Sequence, residues 1–159
     1  MTSQVLRTQA ELSHQHRGWL RFLRSYAALT RELSSRLEAA HGLSLRDYDV
    51  LVQLHEAPDR RLRRIDLART VILSPSGVTR LLEGLERAGW VAKHHCDSDA
   101  RVTYAVLTDT GATKFEEARA THVTDVEELF TSHFSDGEHE QLAELLGRLP
   151  LADAGTCNA

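Results

Sequence analysis

Between residues 74 and 80 the sequence carries small, hydroxylated and basic side chains that could contact nucleic acid. They are Ser74, Ser76, Gly77, Thr79 and Arg80. Arginine can donate two parallel hydrogen bonds to the edge of guanine, whereas hydroxyls accept or donate to bases and phosphates alike. We therefore predict that Arg80 reads a base. Gly77 inside a helix indicates either a close backbone approach to a ligand or simple tolerance of glycine.

A helix must position these side chains, and the sequence predicts where that helix starts and ends. Ser74 followed by Pro75 is a typical helix start, since serine caps an unpaired N–H and proline lacks the donor that would have no partner. Gly89 is expected to end the helix. The apolar residues between them recur at helical spacing and predict a buried stripe of Val78, Leu81, Leu82 and Leu85.

A short basic helix is predicted just before it, over about residues 62–70. Its inward residues would be Leu62, Ile65, Leu67 and Ala68. Two short helices joined by a tight turn form a helix-turn-helix, whose second helix enters the major groove. Arg63 and Arg64 would then lie near the phosphates. For a lone run of arginines the alternative is a solvated surface with no ligand.

A β-hairpin is predicted next, with strands over about 90–95 and 102–107. Its tip carries Asp99 and Arg101. An arginine on a protruding hairpin can enter a minor groove, whose negative potential favours a cation. Asp99 could hold Arg101 in position through an ion pair.

Long amphipathic helices are predicted on both sides of this segment. They cover about residues 10–40, 45–57, 110–132 and 136–148, with capping residues at Gly42, Ser44 with Asp47, Thr108, and Ser135 with Glu138. The first helix has one mostly apolar face and no neighbour of equal length beside it. We expect such a helix to bury its apolar stripe against another subunit.

The net charge of −4, taken as an average over the chain, disfavours a nucleic-acid binder. The charge is, however, unevenly distributed between three segments. Residues 1–45 carry six basic and three acidic side chains, and residues 46–107 carry ten and nine. Residues 108–159 carry three and eleven. The acidity is therefore C-terminal, and the middle segment can face an anion.

Several other classes of protein are disfavoured. The sequence has no apolar run long enough to cross a membrane and no signal-peptide core, so we expect a cytoplasmic protein without a membrane partner. The two cysteines, Cys96 and Cys157, lie far apart and are expected to be free thiols. His94, His95 and Cys96 resemble a ligand cluster, but adjacent strand residues point to opposite faces, so we expect no metal and no cofactor. No spacing of nucleophile and base, or of paired carboxylates, predicts an enzyme.

The pattern LARTVILSPSGVTRLLEGLERAGWV from Leu67, the Asp99-x-Arg101 pair and the Leu107-Thr108-x-x-Gly111 ending resemble the MarR family of winged helix-turn-helix regulators. The resemblance implies a mainly α fold with a small β-wing, and an obligate homodimer that binds double-stranded DNA at a pseudo-palindromic operator. It implies that Ser74, Ser76, Thr79 and Arg80 belong to the recognition helix and Arg101 to the wing. It also divides the chain into a dimerisation helix (1–42), a DNA-binding domain (43–108), further dimerisation helices (109–150) and a disordered tail (151–159).

The resemblance further implies transcriptional repression that a small, often aromatic anion relieves. The residues expected around such an effector are Trp19, Phe22, Tyr26, Tyr48 and His122. Plain core packing remains the alternative for each aromatic ring. The alternative function is a helical dimeric sensor in which redox or metal chemistry controls DNA binding.

Overall fold

The chain forms six helices and a small sheet in the residues that its structure, a computed structural model, describes: 14–70, 75–95 and 102–149. The helices are α1 (His14–His41), α2 (Leu45–Glu56), α3 (Arg64–Thr70), α4 (Pro75–Arg87), α5 (Asp109–Leu129) and α6 (Asp136–Gly147). The strands are β1 (Arg61–Arg63), β2 (Val91–His95) and β3 (Thr103–Leu107). The mainly helical winged fold is thereby confirmed. The predicted tail, residues 151–159, and the first residues of the predicted helix over 10–40 lie outside the described residues.

The core lies between the C-terminal end of α1, α2, α3, α4, the sheet and the first half of α5. Its fully buried side chains include Leu51, Leu54, Leu67, Leu82 and Leu85. The predicted stripe of α4 is confirmed, because Val78, Leu82 and Leu85 are buried and Leu81 packs against them half-buried. Burial of this stripe holds the opposite face of α4 outward.

The sheet has three antiparallel strands in the order β1-β3-β2. The prediction of a helix over 62–70 is wrong at its start, since Arg61–Arg63 form β1 and the helix begins at Arg64. Leu62 pairs with Ala105 and points inward, while its two neighbours are exposed. Ile65, predicted to point inward, is 64% exposed. Residues 61–63 form a strand because they hydrogen-bond to the edge of β3. Three residues are too few to show the alternation that predicts a strand.

Capping residues are where the sequence predicted them. Ser44 Oγ accepts a hydrogen bond from the Asp47 N–H, and the Asp47 carboxylate accepts one from the Ser44 N–H at 2.9 Å. Glu138 accepts from both the N–H and the hydroxyl of Ser135, which lowers the pKa of Glu138. Gly42 adopts a left-handed φ of 67° after α1, which favours glycine.

Helices α1 and α6 bury little within their own chain. Of the predicted apolar stripe of α1, Leu37 is the buried member, whereas Trp19 and Tyr26 are 57% and 62% exposed. None of the described side chains of α6 is buried. Much of their apolar surface is therefore exposed in the single chain.

Candidate nucleic-acid interface

The first turns of α4 present the candidate recognition surface. Val78 is buried against the core, while Thr79 and Arg80, the next two residues, are exposed. Gly77 is half-buried in the same turn. Because α4 is anchored through one face only, a hydroxyl and a guanidinium project together from the other face at the N-terminal end of the helix.

A groove of about 600 Å³ lies beside this end of α4. Its lining comes from the end of β1, from α3, from α4 and from the start of β3: Arg63, Arg64, Ile65, Ala68, Val78, Thr79, Val102 and Thr103. The structure thus brings the predicted residues Arg63, Arg64 and Thr79 together along one groove. Nη2 of Arg64 is buried and makes no hydrogen bond with the residues that the structure describes. The two guanidinium groups of Arg63 and Arg64 beside one groove favour an anion at this place.

Part of the predicted site belongs to segments outside the described residues. Ser74, Asp99 and Arg101 lie outside the described residues, as does Cys96, and the side chain of Ser76 is likewise not described. The turn between α3 and α4 and the wing tip therefore keep the roles that the sequence predicts for them.

Strand β1 adds arginines that the sequence analysis did not single out. The Arg61 guanidinium lies 5.5 Å from the centre of the Tyr104 ring and 3.3 Å from the Asp59 carboxylate. Arg60 lies 3.4 Å from the Asp109 carboxylate. Both arginines therefore form ion pairs within their own chain, and Arg61 also lies against an aromatic ring. The exposed-buried-exposed alternation of Arg61-Leu62-Arg63 is the one sequence signal of this strand.

A threonine joins the hairpin to α5. Thr108 Oγ1 donates to the Gly89 carbonyl at 2.7 Å and accepts from the Gly111 N–H at 2.9 Å. The Thr108 N–H donates to the Trp90 carbonyl at 3.1 Å. The start of the wing and the first turn of α5 are therefore held by the same residue. A Cβ on Gly111 would collide with the Trp90 carbonyl, so this close approach requires glycine.

The predicted effector residues fall into two groups of ring contacts. Trp19, Phe22 and Tyr26 follow one another along α1, with centroid distances of 6.2 and 6.5 Å. Tyr48 and His122 lie 4.6 Å apart between α2 and α5. Burial raises the pKa of Tyr48 and lowers the pKa of His122. Nδ1 of His122 is buried and has no hydrogen-bond partner among the described residues. His122 also borders a cavity of about 370 Å³ together with Val123, Val126, Glu127 and Thr131.

An arginine joins α1 to α5. Arg36 lies 2.9 Å from the Asp125 carboxylate and 3.0 Å from those of Glu128 and Glu32. This guanidinium lowers the pKa of Glu128. Asp125 is buried, and no described residue forms a hydrogen bond with its second oxygen. The pairing was not predicted, because 89 residues separate Arg36 from Asp125.

Metal ligation and membrane insertion find no support in the described ranges. No three His, Cys, Asp or Glu side chains come together there as a possible metal site. His94 and His95 are exposed and pair with Tyr104 and Thr103 across the sheet. None of the described helices is long and apolar enough to cross a bilayer.

Known proteins share both the sequence pattern and the fold. A sequence model of the MarR family matches residues 43–103. The transcriptional repressor YetL of Bacillus subtilis is 28% identical over 135 residues, which is 83% of this chain and 80% of that protein. Sco3205 of Streptomyces coelicolor, a MarR family regulator solved in complex with DNA, is 28% identical with a TM-score of 0.81 over 86% of each chain. AbsC, a MarR family regulator of the same organism, is 29% identical with a TM-score of 0.79, over 85% of this chain and 91% of AbsC.

Proposed function

The chain belongs to the MarR family of transcriptional regulators, which bind DNA and are not enzymes, and we propose that it is a homodimeric repressor of its own or a neighbouring operon. One observation carries the proposal: the anchored helix α4 projects Thr79 and Arg80 beside a groove that contains Arg63 and Arg64. Hydroxyl and guanidinium groups at the N-terminal end of such a helix suit base edges and phosphates.

The residues divide into two roles. Ser74, Ser76, Thr79 and Arg80 face the major groove, with Gly77 permitting close approach of the backbone. Arg63 and Arg64 contact phosphates, and Arg101, held by Asp99, enters the adjoining minor groove. Phosphate contacts orient the protein, whereas base contacts supply sequence preference.

Mobility of labelled DNA from the gene's upstream region tests these roles. Arg80→Ala should cost roughly 1 to 3 kcal/mol and relax the preference at one base pair, because it removes a bidentate contact. Arg101→Ala should weaken binding more evenly across sequences. Arg87→Ala is the matched control, since Arg87 lies two turns further along α4 and donates to the Glu83 carbonyl. Unchanged affinity in both test variants would reject these assignments.

A homodimer accounts for the apolar side chains that the single chain leaves exposed. They are Trp19, Phe22, Leu23 and Tyr26 on α1, Val123 on α5, Phe134 between α5 and α6, and Leu145, Leu146 and Leu149 at the C-terminal end of the described chain. Exposed large apolar side chains in this number favour an interface with a second chain. Sedimentation at micromolar concentration should give twice the chain mass, and a stable folded monomer would contradict the proposal.

A small aromatic anion is proposed to release the DNA. The cavity beside His122, which α5 residues and Thr131 line, and the adjacent Tyr48 ring support a ligand beside the C-terminal half of α5. Nδ1 of His122, which makes no hydrogen bond within the described part of the chain, is a candidate contact for it. Further candidates on α1 are Trp19, Phe22 and Tyr26. A ligand acts through its different affinities for the DNA-binding and the released arrangement. A thermal-shift screen of aromatic carboxylates and phenols should yield a compound that stabilises the protein and weakens DNA binding. His122→Leu should reduce its effect, and an equal response of both proteins would place the effector elsewhere.

A further inference from the structure

Two polar contacts join the C-terminal half of α1 to the C-terminal half of α5. Arg36 Nη1 lies 2.9 Å from the Asp125 carboxylate, and Arg36 Nη2 lies 3.1 Å from that of Glu128. Further along α1, His41 Nε2 and Thr121 Oγ1 are hydrogen-bonded at 2.8 Å. Because the partners on α5 fall in number as those on α1 rise, the two helices run antiparallel here. We call these contacts the α1–α5 brace.

The ion pair at the centre of the brace is sheltered from water. The side chains of Arg36 and Asp125 are 29% and 12% exposed, whereas that of Glu128 is 63% exposed. Nε of Arg36 donates to Glu32 on its own helix at 3.0 Å, so all three guanidinium nitrogens are engaged. A planar guanidinium donates in fixed directions. The pair therefore tolerates little sliding or rotation of α1 against α5.

Apolar packing fixes the angle between α1 and α5 less strictly. Among the described residues of α1, Leu37 is the only buried side chain. Apolar contact is non-directional, so it discriminates weakly between neighbouring arrangements. A buried ion pair often adds little net stability, and its best-attested use is to select one arrangement of two helices. The brace is thus suited to selecting the angle between α1 and α5.

The brace lies between two parts of the chain with different roles. Phe115 and Ala118, in the first half of α5, are buried against the winged domain, which consists of α2 to α4 and the sheet. Val123, further along α5, is exposed, as are Trp19 and Tyr26 on α1. The angle at the brace therefore sets how the winged domain is oriented relative to this exposed apolar surface.

We propose that the α1–α5 brace fixes the separation of the two copies of α4, and that Arg36 is thereby a positioning residue for operator spacing. The inference rests on the proposed DNA-binding homodimer. In a two-fold symmetric dimer a change of angle occurs in both protomers and displaces both copies of α4. One additional base pair moves a half-site by roughly 3.4 Å and rotates it by roughly 35°. A fixed angle therefore matches one spacing of half-sites.

A series of operators whose centre is shortened or lengthened by one and two base pairs tests this by mobility shift. The wild type should bind the preferred spacing about tenfold or more tightly than spacings one base pair away. Arg36→Met should reduce this ratio to about threefold or less, because α1 and α5 lose their directional contact. Its affinity for DNA with a single half-site should change by less than about twofold, since Thr79 and Arg80 are untouched.

Two further substitutions serve as comparisons. Arg36→Lys keeps a positive charge beside Asp125 and should retain the preference for one spacing. Arg119→Met is the matched control, since it removes an exposed arginine of α5 whose ion pair with Glu116 stays within that helix. It should show the spacing preference of the wild type.

Denaturant unfolding and sedimentation establish that each variant is folded and dimeric. Arg36→Met leaves the buried Asp125 carboxylate without its cation, which is destabilising. If that variant does not fold, Arg36→Met/Asp125→Leu takes its place, because it removes both charges of the sheltered pair. The same flattened dependence on spacing is expected of it.

An unchanged spacing ratio in the folded variant overturns the inference. An equal loss of affinity at every spacing and at the single half-site also overturns it, because that is the result of a merely structural role. Both results leave the proposed homodimer standing. A wild type that binds all spacings alike, or none of them, overturns the proposed dimeric DNA binding and the inference with it.

Discussion

His122 combines burial, a missing hydrogen bond and an aromatic neighbour in one side chain. Its ring lies against Tyr48, and its buried Nδ1 makes no hydrogen bond in the part of the chain that the structure describes. Burial lowers the pKa of His122 below the usual 6.5, and Asp125 only partly opposes this. The neutral imidazole is therefore the form that the folded chain accommodates.

Stability should consequently fall as the pH falls. Because the folded-state pKa of His122 is lowered, the unfolded chain takes up a proton that the folded chain resists. The contribution of neutral His122 to the free energy of unfolding is fully present above pH 6.5. It is lost as the pH drops through 6.5 towards the lowered pKa. His122→Gln should reduce this loss of stability by roughly 0.5 kcal/mol per pH unit. The upper limit for the uptake of one proton is ~1.4 kcal/mol per pH unit, and the effect is smaller here because the ring is half-buried.

Urea unfolding at about pH 7.5 and 5.5 measures this effect. The comparison is with His133→Gln, which replaces an exposed histidine of the turn after α5. If the wild type and His122→Gln lose stability equally, the dependence on pH has another origin.

At the scale of elements, the wing is held to α5 by one short motif. Thr108 binds the Gly89 carbonyl and caps α5, while Gly111 lets the helix approach Trp90. The three-stranded sheet and the long helix α5 are therefore rigidly connected. A change in the position of α5 would be passed to the hairpin through this connection.

Gly111→Ala should destabilise the protein by about 1 to 3 kcal/mol, because the added methyl group meets the backbone of Trp90 and cannot be accommodated by a side-chain rotation. Gly137→Ala is the matched control, since a Cβ there meets nothing within 4 Å. The control should be neutral or slightly stabilising. Denaturant unfolding compares the two, and equal midpoints would contradict the close packing at Gly111.

At the scale of the molecule, charge is distributed by function. The acidic helices α5 and α6 would be repelled by phosphate, while the arginines of β1, α3 and α4 would be attracted to it. In the proposed dimer this distribution would turn the winged domains toward DNA. The two copies of α4 would then face successive major grooves on one side of the duplex.

The spacing of the two half-sites should therefore be strict. Inserting about 5 base pairs at the centre of the operator rotates one half-site to the opposite side of the duplex and should abolish dimer binding, because half-sites must lie about one helical turn apart. Mobility shift with the lengthened operator tests this. A scrambled centre of unchanged length is the control, and undiminished binding to the lengthened site would argue for independent monomers.

The sequence alone determined the fold class and most of the local structure. The stripe Val78, Leu82 and Leu85, the boxes at Ser44 and Ser135, and Gly42 and Gly89 as helix ends depend on neighbours within a few residues. Local spacing also placed Thr79 and Arg80 on the outer face of α4. Such features are predictable because backbone capping and helical periodicity act over one or two turns.

The tertiary structure decided what depends on distant residues. Strand β1 exists because Arg61–Arg63 find the free edge of β3, some forty residues away, and this overrode the predicted helix. The pairing of Arg36 with Asp125, the burial of His122 and the closeness of Gly111 to Trp90 likewise join separate segments. These contacts form only when the chain brings remote groups together, so no local pattern records them.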